Sequence, residues 1–221
     1  MLNLASMAWL LASRWFFVFL AIYVFGWTAE VFGATNVLAM TGAAGVVVAL
    51  LALGFILIER ASIGFGRLEP TIATVYDPVF WRVERHWKLS DNPLSTAFAG
   101  TPMRNVISRL LGVRVGRKVF DDGCILSERT LVEIGDGANL NEHSIIQSHS
   151  LEEGVFKSDM VRIGAGASVG AGALVHYGVT MGDGTRLDPD AFLMKGEITP
   201  AGSRWRGNPA RLVSSAPAGA R

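Results

Sequence analysis

The sequence predicts a mainly β protein, a left-handed parallel β-helix of hexapeptide repeats preceded by an N-terminal transmembrane helical hairpin. Two observations support this fold class. A six-residue repeat runs from Ile134 to Ile198, and two long apolar segments precede it. A period of six fits neither an amphipathic helix nor the alternation of a strand, but it is typical of parallel β-helices. We therefore divide the chain into a helical hairpin (1–60), a membrane-interface connector with a capping helix (61–112), a β-helix (113–213) and a flexible tail (214–221).

The two apolar segments predict the membrane hairpin. Residues 37–58 contain no charge and, at about 1.5 Å per residue, can cross a hydrocarbon core of roughly 30 Å. Residues 8–28 are rich in aromatic side chains and contain one charge, Arg14, near enough to the segment end to snorkel. A secretory signal peptide is the alternative for residues 8–28, but the apolar run is too long and a basic start is missing.

Charges that flank the hairpin predict its orientation. The short turn at residues 29–36 contains Glu30 and no Lys or Arg. The far side of the second span is basic and contains Arg60, Arg67, Arg82, Arg85 and Lys88. The positive-inside rule therefore places the C-terminal domain in the cytoplasm.

The connector mixes aromatic and basic residues at positions 75–88. One interpretation is a helix in the lipid headgroup region, and the other is a packed helix with a solvated charged face. A second helix is predicted to start at Thr101 and Pro102 and to stop at Gly112. It would cover the open end of the β-helix with an apolar stripe made of Val106, Ile107, Leu110 and Leu111.

Each hexapeptide begins with an aliphatic residue and has a small or β-branched residue at its fifth position. Three hexapeptides make one triangular coil, so the first positions stack inward and the fifth positions fill the corners. Repeated Gly and Asp residues tolerate the positive φ of the turns. Cys124 falls at a fifth position and is predicted to lie in the core. The predicted coils are residues 115–133, 134–151, 163–180 and 181–198.

One interruption breaks the repeat. From Ile146 to Ile163 there are seventeen residues, one short of three repeats. We expect the regular repeat to end at Leu151 and residues 152–162 to loop out, because a solenoid tolerates an insertion only outside its stack. Loops on a rigid scaffold often carry function. The position of His149, just before the insertion, therefore distinguishes it among the four histidines.

Composition argues against several classes of function. The net charge is +1 and no nucleic-acid motif is present, so no nucleic-acid partner is expected. One cysteine permits no intrachain disulfide, and four histidines without paired spacing indicate no metal site. The Gly-x-Gly patterns never precede a helical pattern, so they do not indicate a dinucleotide site.

The string Arg206-Gly-Asn-Pro-Ala-Arg-Leu-Val213 resembles the ending shared by many hexapeptide-repeat acyltransferases. In that family the ending lies near the acyl-carrier cofactor, so the resemblance implies cofactor contacts for Gly207, Asn208 and Pro209. A simple chain exit from the last coil is the alternative. No tightly bound cofactor is expected, and the donor would be an acyl thioester on the phosphopantetheine of a carrier protein or on coenzyme A.

A larger set of strings resembles one repeat of the membrane-embedded C-terminal region of ε-poly-lysine synthetase-type nonribosomal peptide synthetases. It includes Trp87-Lys-Leu-Ser, Phe120-Asp-Asp-Gly-Cys124, His149-Ser-Leu-Glu and His176-Tyr-Gly-Val-Thr-Met. In those enzymes adenylation and carrier domains precede three such repeats. The resemblance implies that this chain takes its acyl group from a separate adenylation–carrier protein. It also implies a homotrimer, or a pseudo-trimer within a tandem-repeat protein, on a bacterial inner membrane.

The resemblance implies catalysis by His149, because a histidine beside an extended loop is the general base in soluble members of the family. Amines are mostly protonated at neutral pH and hydroxyls are weak nucleophiles, so imidazole, which titrates near neutrality, suits either acceptor. Each further candidate has a solvated surface position as its alternative. His143 would meet the site only across a subunit boundary, and His176 would face a neighbour's loop. The candidate supporting or substrate-binding residues are His143, Glu152, Glu153, Lys157, Asp159 and His176.

These observations together predict a membrane-anchored acyltransferase-like domain that forms an amide bond between a thioester-activated acyl or aminoacyl group and an amine. Two alternatives remain open. One is an acetyl-CoA-dependent O- or N-acetyltransferase that acts on a saccharide or a lipid-linked precursor. The other is a non-catalytic trimeric assembly module.

Overall fold

The computed structural model describes residues 2–89 and 96–215, which form two units. The helical unit contains the described residues up to Gly66 and those from Trp81 to residue 89. The β unit contains Arg67–Phe80 and the described residues from 96 onward. Residues 216–221 of the predicted tail lie outside the described residues.

Two long helices, α1 (Leu2–Phe32) and α2 (Val37–Ser62), pack as a hairpin in the helical unit. Asn36 caps α2 by accepting a hydrogen bond from the backbone amide three residues on, at 3.1 Å. Gly54 permits close packing, because a Cβ there would lie 2.4 Å from the Phe17 ring. By length and composition both helices are able to cross a membrane, in agreement with the predicted hairpin.

A third helix, α3 (Pro78–Leu89), runs from the β unit into the helical unit. Its residue His86 is buried within the helical unit, where Nδ1 lies 3.1 Å from Ser62 Oγ. The connector therefore contains a helix, as both interpretations of its sequence require.

The β unit contains three parallel sheets, named I, II and III, and each coil visits them in that order. Sheet I contains β2 (Arg114–Val115), β5 (Val132–Ile134), β10 (Val161–Ile163), β13 (Thr180–Met181) and β16 (Ile198–Thr199). Sheet II contains β3 (Phe120–Asp121), β6 (Asn139–Leu140), β11 (Ser168–Val169), β14 (Arg186–Leu187), β17 (Arg204–Arg206) and the antiparallel β18 (Arg211–Ser214). Sheet III contains β4 (Ile125–Leu126), β7 (Ile145–Ile146), β12 (Leu174–Val175) and β15 (Phe192–Leu193). The predicted β-helix is confirmed.

The aliphatic first positions form the core between the sheets. In sheet I, Ile163 pairs in register with Ile134 and Met181, and all three side chains are buried. Burial of one such side chain stabilises the fold by about 1.5–3 kcal/mol. The second position needs glycine where the turns stack. A Cβ on Gly135 would lie 2.5 Å from the backbone nitrogen of Ala165.

A fourth helix, α4 (Pro102–Leu110), packs on the first coil. Its buried face is partly polar, and Arg104 donates a hydrogen bond to the Cys124 carbonyl at 2.6 Å. The predicted apolar stripe is wrong in part, because Val106 and Leu110 are exposed. The end of a β-helix presents backbone carbonyls, and side-chain donors satisfy these where apolar groups do not.

The ends of α4 follow the sequence signals. Thr101 occupies the N-cap position, although its hydroxyl donates to the Phe98 carbonyl at 2.7 Å and does not accept from the helix. Gly112 follows the helix with a φ of +102°, a conformation that glycine adopts without strain. The predicted boundaries of this helix are therefore correct.

The largest departure from the predicted fold is at the interruption. Residues 152–162 were expected to form a loop, but β8 (His149–Glu152) and β9 (Val155–Ser158) form an antiparallel hairpin. The chain leaves the coil at His149 and not after Leu151. It rejoins the coil at β10, where Val161 pairs with Val132 of the coil below.

Local and distant contacts both stabilise this hairpin. Glu153 and Gly154 have φ values of +54° and +74°, which close a tight two-residue turn of the kind favoured in hairpins. The Asp159 amide donates to the Ser148 carbonyl at 3.1 Å and closes the base. A further strand, β1 (Thr71–Thr74) from the connector, pairs antiparallel with β9. The pairing with β1 was not predicted, because nothing local in the sequence indicates it.

Candidate active site at the interrupted corner

The hairpin leaves the β-helix at the corner between sheets III and I, which we call the interrupted corner. His149, the first residue of β8, lies there with 17% of its side chain exposed. Its Nδ1 is 2.7 Å from Oε1 of Glu128, whose side chain is fully buried. Glu128 occupies the same corner one coil earlier, between β4 and β5. Stacking of two coils thus brings an acid and a histidine together.

A hydrogen-bond network holds the Glu128 carboxylate. Ser127 Oγ donates to Oε2 at 2.5 Å, and the same hydroxyl accepts from the Ser148 amide at 2.9 Å. A buried carboxylate is tolerated only when such partners compensate for lost hydration. When the imidazole is neutral and carries its proton on Nδ1, beside the Glu128 carboxylate, the Nε2 of His149 has the lone pair that a general base needs.

Aromatic packing fixes the His149 ring. The ring centroid of Phe156 lies 5.8 Å from that of His149, and Phe80 packs edge-on against Phe156 at 6.0 Å. Phe156 is fully buried. The hairpin therefore orients the imidazole as well as exposing it.

His176 lies at the same corner one coil later, directly after β12. Its ring contacts those of Tyr177 at 4.9 Å and Phe192 at 5.7 Å. Burial lowers the pKa of His176 below 6.5, opposed by a hydrogen bond to the His149 backbone and by the charge of Glu152. His176 therefore adjoins His149 of its own chain, whereas the sequence suggested a role toward a neighbour's loop.

The structure places Glu128, and not Glu152, against Nδ1 of His149. Glu152 instead binds Lys195, whose Nζ lies 2.9 and 2.8 Å from the two carboxylate oxygens, and Lys157 is 3.6 Å away. The hydrogen bond from Lys195 is the main cause that lowers the pKa of Glu152, and the pKa of Lys195 is raised by the same contact.

The remaining predicted residues, His143, Glu153 and Asp159, lie outside the contact between His149 and Glu128. His143 has a φ of +58° and lies between β6 and β7, at a different corner, where its side chain is exposed and 3.5 Å from Glu142. Glu153 forms the exposed tip of the hairpin, and Asp159 closes its base. Within the described ranges, no group of three or more metal-ligating side chains is present.

The predicted cofactor residues form an exposed turn at the end of the β-helix. The Phe192 amide donates to the Gly207 carbonyl at 2.9 Å, and the Ala210 amide donates to the Phe192 carbonyl at 2.8 Å. Gly207, Asn208 and Pro209 are exposed, and the Asn208–Pro209 peptide is cis. The turn therefore docks on β15, beside the aromatic residue that contacts His176.

Sequence reasoning missed three residues of this site: Glu128, Phe156 and Lys195. The hexapeptide that starts at Ser127 has no aliphatic first residue, and this irregularity was a signal for Glu128. Phe156 lies inside the insertion, where no periodicity constrains its place. No local signal identifies Lys195.

Comparison with known proteins agrees with this architecture. Over 149 residues, 66% of its length, the chain is 33% identical to the delta-poly-L-ornithine synthetase of Acinetobacter baumannii strain AB307-0294, and it spans 11% of that protein. It is similar in structure to a maltose O-acetyltransferase from Clostridium difficile 630, with a TM-score of 0.50, 16% identity and coverage of 71% of this chain and 96% of that chain. A serine acetyltransferase from Brucella abortus strain S19 matches with a TM-score of 0.43 and 14% identity, over 75% of this chain and 57% of that chain. No protein-family model matches the chain.

The maltose O-acetyltransferase structure confirms the predicted fold, and the ornithine synthetase confirms the resemblance to a synthetase of poly-amino acids. The synthetase found is named for poly-ornithine, whereas the sequence strings suggested the poly-lysine type. The chain corresponds to a small part of that synthetase.

Proposed function

We propose that this chain is an acyltransferase that joins a thioester-activated acyl or aminoacyl group to an amine through an amide bond. The observation that supports this most directly is the His149–Glu128 pair at the interrupted corner. The fold supports acyl transfer, and the homology to a poly-amino-acid synthetase supports an amine as the acceptor.

In this mechanism the acceptor nitrogen attacks the thioester carbonyl carbon while Nε2 of His149 takes one of its protons. The C–N bond forms, the C–S bond breaks, and the imidazolium returns the proton to the departing thiolate. The products are an amide and a thiol. Glu128 stabilises the imidazolium through Nδ1, and general-base catalysis of this kind accelerates reactions on the order of 10²–10⁴-fold.

The proposed donor is a thioester of phosphopantetheine on a carrier protein, loaded by a separate adenylation–carrier protein, or of coenzyme A. The turn formed by Gly207, Asn208 and Pro209 is the proposed contact for this donor. It docks on Phe192, whose ring touches His176 at the interrupted corner.

The outward side of sheet III supports a homotrimer. The outward positions of its four strands are all apolar: Ile125, Ile145, Leu174 and Phe192. The corresponding positions of sheet I include Arg114, Glu133 and Arg162. An apolar face of this kind favours burial against another copy. We expect Ile125→Glu to dissociate the trimer and Arg114→Glu to leave it intact, as measured by light scattering of the chain in detergent.

The two apolar helices support anchoring in a membrane, and the basic residues that follow the second helix support a bacterial inner membrane with the β unit in the cytoplasm. The expected result is that the chain stays with membranes after an alkaline wash. Protease added outside intact spheroplasts should leave the β unit uncut. Release by the wash, or cleavage from outside, would overturn this placement.

The central experiment compares two histidine variants of the full chain in an amide-forming assay with an aminoacyl-phosphopantetheine donor. His149→Ala should lower turnover on the order of 10²–10⁴-fold, while His143→Ala, an exposed histidine at another corner, should keep wild-type turnover. Full activity of His149→Ala would sink the mechanism.

A second candidate is acetyl transfer from acetyl-CoA to a saccharide or lipid-linked hydroxyl or amine. The similarity to a maltose O-acetyltransferase over 96% of that chain favours it. The same assay separates the two functions, because turnover with acetyl-CoA and none with an aminoacyl donor would favour this candidate.

A further inference from the structure

The capping helix α4 packs on the first coil with its polar side inward. Its buried side chains are mostly polar and are those of Arg104, Asn105, Ile107 and Ser108. Its outward apolar side chains, 48%, 44% and 55% exposed, are those of Met103, Val106 and Leu110. A helix on the surface of a soluble domain normally has the opposite arrangement. The outward side of α4 therefore suits an apolar environment better than water.

A neighbouring aromatic ring extends this apolar side. Phe120, at the outward position of β3, is also exposed. Val106 and Phe120 line one cleft of about 320 Å³ between α4 and the first coil, so the two elements share one apolar surface. We call the side chains of Met103, Val106, Leu110 and Phe120 the cap face. Exposed apolar surfaces of this kind mark contact sites for proteins or membranes.

Positive charge flanks the cap face. Arg109 and Lys118 line the same cleft as Val106. The one carboxylate among the described residues that line this cleft is that of Asp121, which is buried and paired with Arg104 at 2.9 Å. The open part of the cleft is therefore basic, and it complements an anionic partner.

The C-terminal end of α4 is bonded to the segment that follows the second apolar helix. Arg67 Nη1 donates a hydrogen bond at 3.2 Å to the carbonyl of Gly112, two residues after α4. Helix α2 ends at Ser62, five residues before Arg67, and five residues of chain extend over at most about 18 Å. The covalent chain thus limits how far this end of α4 can lie from the end of the proposed membrane span.

We infer that the cap face binds the surface of a lipid bilayer that contains anionic headgroups. The apolar side chains enter the boundary between headgroups and acyl chains, and Arg109 and Lys118 contact lipid phosphates. A second copy that paired through the same face would bring like charges together, which disfavours it as the partner. The inference adds a separate lipid contact to the proposed anchoring by α1 and α2, and it rests on that proposal.

The test uses the full chain in lipid vesicles, with an environment-sensitive fluorophore on an introduced cysteine. Val106→Cys places the label on the cap face, and Ile198→Cys, at an exposed position of sheet I, is the matched control. Cys124 is completely buried, so the introduced cysteine takes the label. One set of vesicles contains phosphatidylglycerol and phosphatidylcholine in equal parts, and the other contains phosphatidylcholine alone. Brominated phosphatidylcholine in both sets is the quencher.

The brominated lipid should quench the label at position 106 in the anionic vesicles, with weaker quenching in phosphatidylcholine alone. The label at position 198 should not be quenched in either set. Equal quenching at the two positions, or at position 106 in the two kinds of vesicle, overturns the inference.

A charge variant tests the cations beside the cap face. Lys118 has a φ of +55°, which asparagine tolerates, so Lys118→Asn removes the charge and keeps the turn. It should lower the ratio of quenched to unquenched label at position 106 about fivefold, the effect of roughly 1 kcal/mol per cation at an anionic surface. Arg186→Gln, at an exposed position of sheet II, should leave the ratio unchanged. Equal ratios in Lys118→Asn and in the chain without this change would contradict the proposed lipid contact.

An alkaline wash separates this inference from the proposed anchoring. If the chain stays with the vesicles and the label at position 106 is not quenched, the lipid contact is wrong and the anchoring stands. If that label is quenched before the wash and the wash then releases the chain, anchoring by α1 and α2 fails while the lipid contact stands. If the label is shielded from aqueous iodide only at high protein concentration and without lipid quenching, a second copy covers the cap face and the inference is overturned.

Discussion

The regular coils and the interrupted corner belong to the same β-helix, but the coils bury apolar side chains and the corner exposes polar ones. In the regular coils, side chains such as Leu140 and Val169 pair in register and are completely buried, and Cys124 is sealed in the core. At the interrupted corner, His149 and His176 are polar and partly open to solvent. The regular repeat forms a rigid core, and its interruption exposes titratable side chains.

The two regions nevertheless depend on each other. Glu128 and Ser127 belong to the coil below the break, yet they hold the imidazole of His149. The position of the proposed base, His149, is thus set by stacking of coils, which is far stiffer than a loop.

The strongest contrast concerns the Cys124 thiol. Burial is the main cause that raises its pKa from 9.0 to about 12, and the nearby Asp121 adds to this effect. At neutral pH the thiolate fraction falls about a thousandfold, since each pKa unit is a factor of ten. We expect no alkylation by iodoacetamide in the folded chain and rapid alkylation in denaturant. Fast labelling of the native chain would show that this part of the core is open.

The second test compares two leucines. Leu140 is fully buried in sheet II, so Leu140→Ala should lower the free energy of unfolding by about 2–5 kcal/mol. Leu151 is half-exposed on the hairpin, so Leu151→Ala should change it by no more than about 0.5 kcal/mol. Hydrogen exchange of the β-unit amides in urea measures both. Similar losses for the two variants would contradict the contrast between core and hairpin.

The buried residues of the regular coils were predictable from the sequence, because the six-residue period marks the positions that face the core. The aliphatic column at Ile134 and Ile163 and the burial of Cys124 follow from the six-residue period. The Glu128–His149 contact does not. Regular stacking pairs Leu126 with Ile146 and so predicts Ser148 above Glu128. His149 reaches Glu128 only because the chain leaves the coil after Ser148.

The hairpin itself could not be read from the sequence for a similar reason. Its third strand, β1, is more than eighty residues from β9 in the chain and comes from the connector. No repeat links the two segments. The contact between Glu152 and Lys195 is likewise nonlocal, since forty-three positions separate the two residues.

The third prediction tests whether Glu128 supports His149. Glu128→Gln keeps the shape and an acceptor for Nδ1 but removes the negative charge, so turnover should fall on the order of tenfold. The acidic limb of the pH–rate profile should move to lower pH, because the imidazolium loses its carboxylate partner. Glu133→Gln on sheet I is the control. If the acidic limb of the Glu128→Gln profile did not move, the charge of Glu128 would have no effect on His149 and its side chain would serve only in packing.

The smallest expected effect concerns His176. Burial disfavours its imidazolium form, so its pKa lies below 6.5 in the folded chain. A lowered histidine pKa contributes stability that is present above pH 6.5 and is lost as the pH falls, because the unfolded state then binds the proton first. Phe192→Ala removes an aromatic contact at 5.7 Å and should return the pKa toward 6.5. Histidine C2 hydrogen exchange, followed by mass spectrometry across pH, measures both values. If the pKa of His176 were the same in the wild type and in Phe192→Ala, the Phe192 ring would not be what shields His176 from water.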